Sequence, residues 1–461
     1  MTLKITNPAT GKQLRTLPED GLLQVKCKYD AAREAQPGWS RTPFSKRLAA
    51  IKRFRAALVA EREPLAKILT SEVGKPIAQS RNELAGVLAR IDFFIDNTKP
   101  RLRNAMVLDD GAQKMKEMIS HEPLGVIANI SAWNYPYLVG ANVFVPALLT
   151  GNTVLYKPSE IATLSGLEIA RLLHASGIPK NAFIPVIGGG KTGGALLKQD
   201  VDGVFFTGSY DTGVKIARSV ADRMIKLQLE LGGKDPVYVC DDVDIKAVAA
   251  GVADGAFYNN GQSCCSVERI YVHEKIYDAF ITAFVDEVKG FKVGDPADDK
   301  TYIGPLARSQ QLAVLKQQVA DAKRKGAKLL LGGGPLLTAG GKGNWFSPTV
   351  FSDAGQNTDL MRAESFGPII GLRKVRDDAE AVALMNDSRY GLTAAIYTRD
   401  GRRAERVLSQ VRSGSAYWNC CDRVSPRLPW SGVGRSGVGV TLSGYGIETF
   451  LRPRAWHLRA A

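Results

Sequence analysis

Apolar residues recur at helical spacing through residues 21–35, 45–61, 63–73 and 81–97, the last with Leu84, Val87, Leu88, Ile91 and Phe94 along one face. Residues 4–100 therefore read as a strand-like start followed by helices. Residues 101–123 are polar, short in period and closed by Pro123, which suits a hairpin or a connecting arm. From Gly125 the pattern changes. Strands are expected at 126–130, 153–156, 183–187, 203–206 and 226–230, with helices at 136–149, 163–176 and 212–224 between them. That alternation predicts a parallel sheet with helices on both faces and ligand loops at the strand ends. A second alternating α/β block runs from about 236 to 438. The tail, 445–457, alternates apolar and basic residues and reads as a strand; with the strand-like segment 105–122 it would suit a sheet shared between subunits.

Composition narrows the class. A chain of 461 residues is too long for one core, so two or three domains are expected. Residues 1–15 lack the apolar core of a signal peptide, and the most apolar stretch, 137–149, is interrupted by Asn142 and Pro146 and too short to span a bilayer. Six cysteines in this length make no disulfide scaffold. A soluble, intracellular, cytoplasmic protein without a membrane span is expected. The net charge of +15 is spread over the chain (Arg41, Lys46, Arg47, Lys323, Arg324, Arg402, Arg403) and carries no zinc-finger, RNA-binding or helix-turn-helix signature. No specific nucleic-acid partner is expected; steering of an anionic cofactor or substrate accounts for the charge more economically.

Several stretches carry candidate chemistry. Asp254–Ser266 runs from an apolar helical pattern through Asn-Asn-Gly, a strong turn signal, into Cys264 and Cys265. Thiols there read either as a nucleophile supported by backbone N–H donors or as two buried small hydrophobes. Gly188–Gly194 resembles a P-loop, but Pro185 stands where the first glycine should, leaving a flexible turn. In Phe205-Phe-Thr-Gly208-Ser209-Tyr-Asp-Thr-Gly213 a strand enters a Gly-x-x-x-x-Gly loop that opens a helix, an arrangement offering N–H groups to a phosphate. Lys157 and Glu160 follow a strand directly and suit either a nucleotide ribose or a surface ion pair. Glu230, in an apolar strand end before two glycines, should be partly desolvated and so raised toward the range of a general base. The four histidines stand beside no reactive-looking turn, which weakens a Cys–His dyad. The adjacent pairs Cys264–Cys265 and Cys420–Cys421 have the wrong spacing for a zinc site, and no metal is expected.

Together and in order, Trp133-Asn134-Tyr-Pro136, Lys157-Pro-Ser-Glu160, Phe206-Thr-Gly208-Ser209 with Gly213, Glu230-Leu-Gly-Gly233, Gly261-Gln-Ser-Cys264, Glu364-Ser-Phe366-Gly-Pro368 and Asn419 resemble the aldehyde dehydrogenase superfamily over essentially the whole chain. The resemblance implies a Rossmann-like cofactor domain, an α/β catalytic domain and a small β bridging element. The boundaries would be 1–104 with 124–232, 233–440, and 105–123 with 441–461, the last making a homodimer or homotetramer. It implies Cys264 as nucleophile, Asn134 as a donor to the oxyanion, and Glu230 as the base that activates water. Trp133, Lys157, Glu160, Gly208, Ser209, Gly213, Glu364 and Phe366 would meet the cofactor. Glu160 favours NAD while leaving NADP possible, because its carboxylate would repel a 2′-phosphate. Glu230 itself argues for hydrolysis, since members acylating coenzyme A typically lack it; such acylation, or a catalytically idle cofactor-binding relative, is the alternative.

Three departures stand out. Pro429-Trp430-Ser431-Gly432-Val433-Gly434 replaces the family's Pro-Phe-Gly-Gly-x-Lys, which bears on packing more than on chemistry. Gly444 occupies the place of a second, proton-relaying glutamate of some relatives. The loop with Asp422, Arg423 and Val424 is expected to line the substrate entrance together with Tyr135. Arg423 there would receive an anionic aldehyde tail, pair with Asp422 or stand in solvent.

Overall fold

A computed structural model of the chain describes residues 1–112, 114–336 and 343–460. Residues 113 and 461 of the expected bridging element, and 337–342 of the expected catalytic block, lie outside the described residues.

Two sheets carry the architecture. The first has the order Gly437–Val438, Lys226–Glu230, Gly203–Thr207, Val126–Ile130, Thr153–Lys157, Phe183–Pro185. Its strands are parallel except the first, which runs antiparallel to Lys226–Glu230. The chain fills this sheet outward from Val126–Ile130, first to one side and then to the other, so the order reverses between Val126–Ile130 and Gly203–Thr207. Ligands bind beyond the carboxyl ends of strands at such a point. The second sheet has seven strands in the order Lys328–Leu331, Thr349–Ser352, Ile369–Val375, Val267–His273, Asp235–Val239, Thr393–Tyr397, Ser415–Trp418, parallel apart from the first. Continuous apolar runs make central strands buried along their whole length, as in Val126–Ile130 and Val267–His273.

Leu451–Arg459, Met115–Pro123 and Ala105–Asp110 form a three-stranded antiparallel sheet, and Thr2–Thr6 pairs with Gln13–Pro18. Its edge strand leaves Met106, Val107 and Leu108 exposed. Among the described residues no helix is long and apolar enough to cross a membrane.

The expected elements are present, with shifted ends. The first helix, Leu22–Arg41, continues past Pro37 because Trp39 reaches the core and its indole N–H donates to the Leu148 carbonyl at 3.2 Å. The tail corrects the reading of one strand from 445. Ser443–Glu448 is a short helix, entered through left-handed Leu442 and Ser443, and it buries Ile447 before the strand begins at Leu451. Apolar residues three apart (Ile447, Phe450) settle the helical side of that ambiguity.

Candidate active site

Helix Ile245–Phe257 gives way to the turn Tyr258–Gly261, in which Asn259, Asn260 and Gly261 take left-handed φ values of 51°, 59° and 68°. A left-handed non-glycine residue costs roughly 1–2 kcal/mol, and asparagine tolerates it best. Hydrogen bonds hold the turn. Asn259 Nδ2 donates to the carbonyls of Asn134 and Gln262 at 3.3 and 3.1 Å, and Asn260 Nδ2 donates to Pro305 O at 2.7 Å. Gln262 Oε1 accepts the Ala307 N–H at 3.0 Å. A Cβ on Gly261 would lie 2.4 Å from the Gly367 carbonyl oxygen. The Asn-Asn-Gly-Gln sequence is thus required by the backbone path, which delivers Cys264 to the amino end of strand Val267–His273.

Cys264 is half-buried and lines two cavities, of about 720 and 630 Å³. Among the described residues it is the one side chain common to both linings.

The larger cavity lies at the carboxyl edge of the first sheet, at the reversal of strand order. It collects Trp133, Asn134, Lys157, Glu160, Gly208, Ser209, Glu364 and Phe366, which sequence reasoning had grouped. Helix Tyr210–Val220 begins at Ser209 with no side-chain hydrogen bond at its cap, leaving first-turn N–H groups for a phosphate. Lys157 is buried and its Nζ stands 3.9 Å from the Glu160 carboxylate, which remains half exposed to the cavity. Burial pushes the Glu364 carboxyl up to about 8, and its Oε1 accepts the Gly233 N–H at 3.1 Å. Phe366 takes φ of 47° and meets Trp133 edge-on at 5.5 Å between ring centroids. The buried Glu268 fixes that loop, accepting the N–H of Ser365 at 2.9 Å and of Phe366 at 3.0 Å.

A dinucleotide fits this set. A Cβ on Gly232 would stand 2.1 Å from a Glu364 oxygen, so the wall beside that carboxylate must be bare. Gly213 lies outside the lining, packed where a Cβ would meet Leu231 at 2.7 Å. Conversely Gly190, Gly193 and Gly194, from the loop read as a turn, do line it.

The smaller cavity holds Tyr135, Asp422, Arg423 and Val424, as expected, together with residues that sequence reasoning missed: Glu83, Arg90, Asn142, Tyr258 and Trp430. Helices Ile77–Arg101 and Pro136–Leu149 supply one wall at helical spacing, Glu83/Gly86/Arg90 facing Tyr135/Leu138/Asn142. A signal existed: Arg90 falls among Val87, Ile91 and Phe94, on the stripe the helix buries. Glu83 is neutralised by the buried Lys75 and also accepts the Tyr137 N–H at 2.9 Å. Arg423 is exposed and forms no ion pair among the described residues, so the alternative pairing with Asp422 is not formed. Asp422 instead accepts from Ser263 Oγ at 3.2 Å and Cys265 Sγ at 2.9 Å. Burial raises its carboxyl to about 7.

Glu230 stands at the floor, buried at the end of its strand. Burial pushes its carboxyl up, against donors that hold it down, chief among them Trp430 Nε1 at 3.1 Å from Oε1. Trp430, read from sequence as a packing change, thus bonds directly to the candidate base Glu230. The adjacent Cys265 thiol, burial and the Glu230 charge all push the Cys264 thiol well above its ordinary value, so it is neutral at rest. Asn134 is buried with Nδ2 donating to Gln262 O at 3.2 Å, which aligns its amide beside the cysteine turn.

Comparison with known proteins adds an independent observation. The profile of the aldehyde dehydrogenase family matches residues 1–456. A glutarate-semialdehyde dehydrogenase of Pseudomonas putida is 34% identical over 457 residues, covering 98% of this chain and 93% of the relative. The solved structure of a 3,6-anhydro-L-galactose dehydrogenase in complex with NADP is 32% identical, with a TM-score of 0.96 over 100% of this chain and 96% of that one. A betaine aldehyde dehydrogenase of Staphylococcus aureus in complex with NAD is 29% identical, with a TM-score of 0.95 over 99% and 92%.

Proposed function

We propose the following division of labour in a chain that belongs to the aldehyde dehydrogenase family and oxidises an aldehyde to its acid with NAD or NADP. The single observation that carries the assignment is the position of Cys264, the one described side chain shared by the cofactor-sized and substrate-sized cavities.

Cys264 Sγ attacks the aldehyde carbon, and its proton passes to Glu230, whose raised carboxyl is suited to accept it. The oxyanion of the thiohemiacetal is held by the Asn134 amide and the Cys264 backbone N–H. The bound dinucleotide supplies the hydride acceptor in the larger cavity. Loss of hydride from the thiohemiacetal carbon leaves a thioester, and Glu230 passes its first proton to solvent. Glu230 then takes a proton from water, which attacks the thioester carbonyl, and as the acid leaves Cys264 takes that proton back from Glu230 as its thiol. Trp430 keeps the carboxylate of Glu230 aimed while this proceeds. Lys157, Glu160 and Ser209 hold the adenosine and pyrophosphate end, Glu364 and Phe366 the nicotinamide end, with Trp133 and Gly208 shaping the wall and Gly213 packed behind it against Leu231. The exposed carboxylate of Glu160 favours NAD.

The first sheet and its helices (1–104 with 124–232) serve the cofactor, the second (233–440) the chemistry. The three-stranded sheet would join subunits into a dimer or tetramer through the exposed Met106–Leu108 edge. Six free thiols fit a cytoplasmic location. The test is NAD(P)H formation over aliphatic, aromatic, amino- and carboxy-aldehydes, with and without coenzyme A. Turnover that depends on coenzyme A would replace hydrolysis by acylation, and no turnover with any aldehyde removes the assignment.

A further inference from the structure

Arg90 is 7% exposed, at the far end of the helical wall of the smaller cavity. Its Nη1 donates to the Leu138 carbonyl at 3.2 Å and to Asn142 Oδ1 at 2.8 Å. Among the described residues its Nε and Nη2 have no hydrogen-bond partner, no carboxylate lies within 4 Å, and Asn142 Nδ2 is likewise unengaged. A guanidinium set into a cavity wall without an anion leaves donors free to take up an anionic ligand. The other buried charges on this lining are compensated or weakened, while Asp254 and Arg423 stand exposed at its edge. Lys75 neutralises Glu83, while the Asp422 and Glu230 carboxyls are raised by burial. Burial lowers Arg90 only to about 10, so it stays charged at neutral pH. Leu138, Val424, Pro426 and Trp430 supply the apolar remainder of the wall.

We infer that Arg90 and Asn142 form a carboxylate subsite inside the substrate cavity, so that the preferred aldehyde is a short one bearing a terminal carboxylate. The inference rests on the reading of Cys264 as nucleophile, and it moves the anion receiver from the exposed Arg423 to a buried cation. The guanidinium binds two carboxylate oxygens through Nε and Nη2, and the Asn142 amide adds a third donor. An ω-amino aldehyde would instead set an ammonium against an uncompensated guanidinium.

The experiment compares kcat/KM for succinate semialdehyde and butanal, matched in length, in wild type, Arg90→Met, Arg90→Lys and Arg423→Ala. One charge-assisted pair predicts a wild-type preference for the carboxylate of about tenfold to hundredfold. That ratio collapses in Arg90→Met, mainly through KM, survives in part in Arg90→Lys, and persists in Arg423→Ala. Succinate binding to the NAD-loaded protein, measured by calorimetry, needs no turnover and should be lost in Arg90→Met. If neither aldehyde is oxidised, the Cys264 reading fails and succinate binding alone decides the subsite. An unchanged ratio in Arg90→Met, equal loss for both aldehydes, no succinate binding in wild type, or wild-type preference for an ω-amino aldehyde of that length would each overturn it.

Discussion

The two cavities that meet at Cys264 are built from different materials. The larger one is made of strand ends, glycines and a helix terminus, with Lys157, Glu160, Glu364 and Phe366 set among them. The smaller one is walled mainly by side chains, from helices Ile77–Arg101 and Pro136–Leu149, from the turn that carries Cys264 and from the loop around Asp422. A cofactor used unchanged by many proteins imposes close backbone approach at fixed places, and that demand leaves glycine and strand-end motifs. A substrate wall fixes only size, polarity and charge, which many residue combinations satisfy at helical spacing. One cavity is therefore constrained by close backbone approach, the other by the size, polarity and charge of its side chains.

The largest expected effect falls on the residue belonging to both. Cys264→Ala should abolish aldehyde oxidation by at least about 10⁴-fold, whereas Cys265→Ala keeps most of it. Cys265 is buried and its thiol donates to the Asp422 carboxylate. Equal loss in both variants, measured as NADH formation, would place the reactive thiol elsewhere.

That contrast also explains how far the sequence could be read. The parallel sheet followed from alternation, and the candidate cofactor loops from strand ends running into glycine. The Cys264 turn was visible because three consecutive left-handed positions demand Asn-Asn-Gly. Arg90 was legible only in part: it falls on the stripe of Val87, Ile91 and Phe94, but a charged residue on an amphipathic helix reads as a solvated face until packing shows the stripe buried. Trp430 lies 200 residues from Glu230 in sequence, and no local pattern announces that hydrogen bond. The tail helix Ser443–Glu448 was hidden by glycines and by apolar residues compatible with either period.

On the cofactor side alone, Glu160→Gln should raise KM for NAD by about tenfold or more, from loss of charge-assisted bonds to ribose hydroxyls, and lower the barrier to NADP. The ratio of the two cofactors should shift while the order of preference among aldehydes stays as in wild type. A change in aldehyde preference would mean that the cavities are not separable.

On the substrate side, Trp430→Phe keeps an aromatic ring and removes the N–H that stabilises the Glu230 carboxylate. The Glu230 pKa then rises further, so the limb of hydrolysis that needs the ionised base moves to higher pH. Steady-state turnover at neutral pH should fall about tenfold. A pre-steady-state burst of NADH should grow, because release of the acid becomes slower than hydride transfer. Loss of burst and steady state together would show that Trp430 only fills space, as a packing residue would.

The smallest effect tests the electrostatic side of the same wall. Asp422, raised to about 7, faces Ser263 and Cys265, which donate to it, and feels Asp254 and Arg423. Below that pH the carboxyl is protonated and neutral; above it the carboxylate places a negative charge in a cavity whose buried cation is Arg90. For an aldehyde carrying a carboxylate, KM should therefore rise as pH passes upward through about 7, by a few-fold at the effective dielectric of a partly wet site. For a neutral aldehyde of equal length the same titration should leave KM nearly flat. Asp422→Asn removes the charge while keeping the shape and one acceptor, and should flatten the first profile onto the second. If both aldehydes show the same pH dependence in wild type and in Asp422→Asn, the titration belongs to the shared centre at Glu230 and Cys264, and the smaller cavity loses its claim to an electrostatic character of its own.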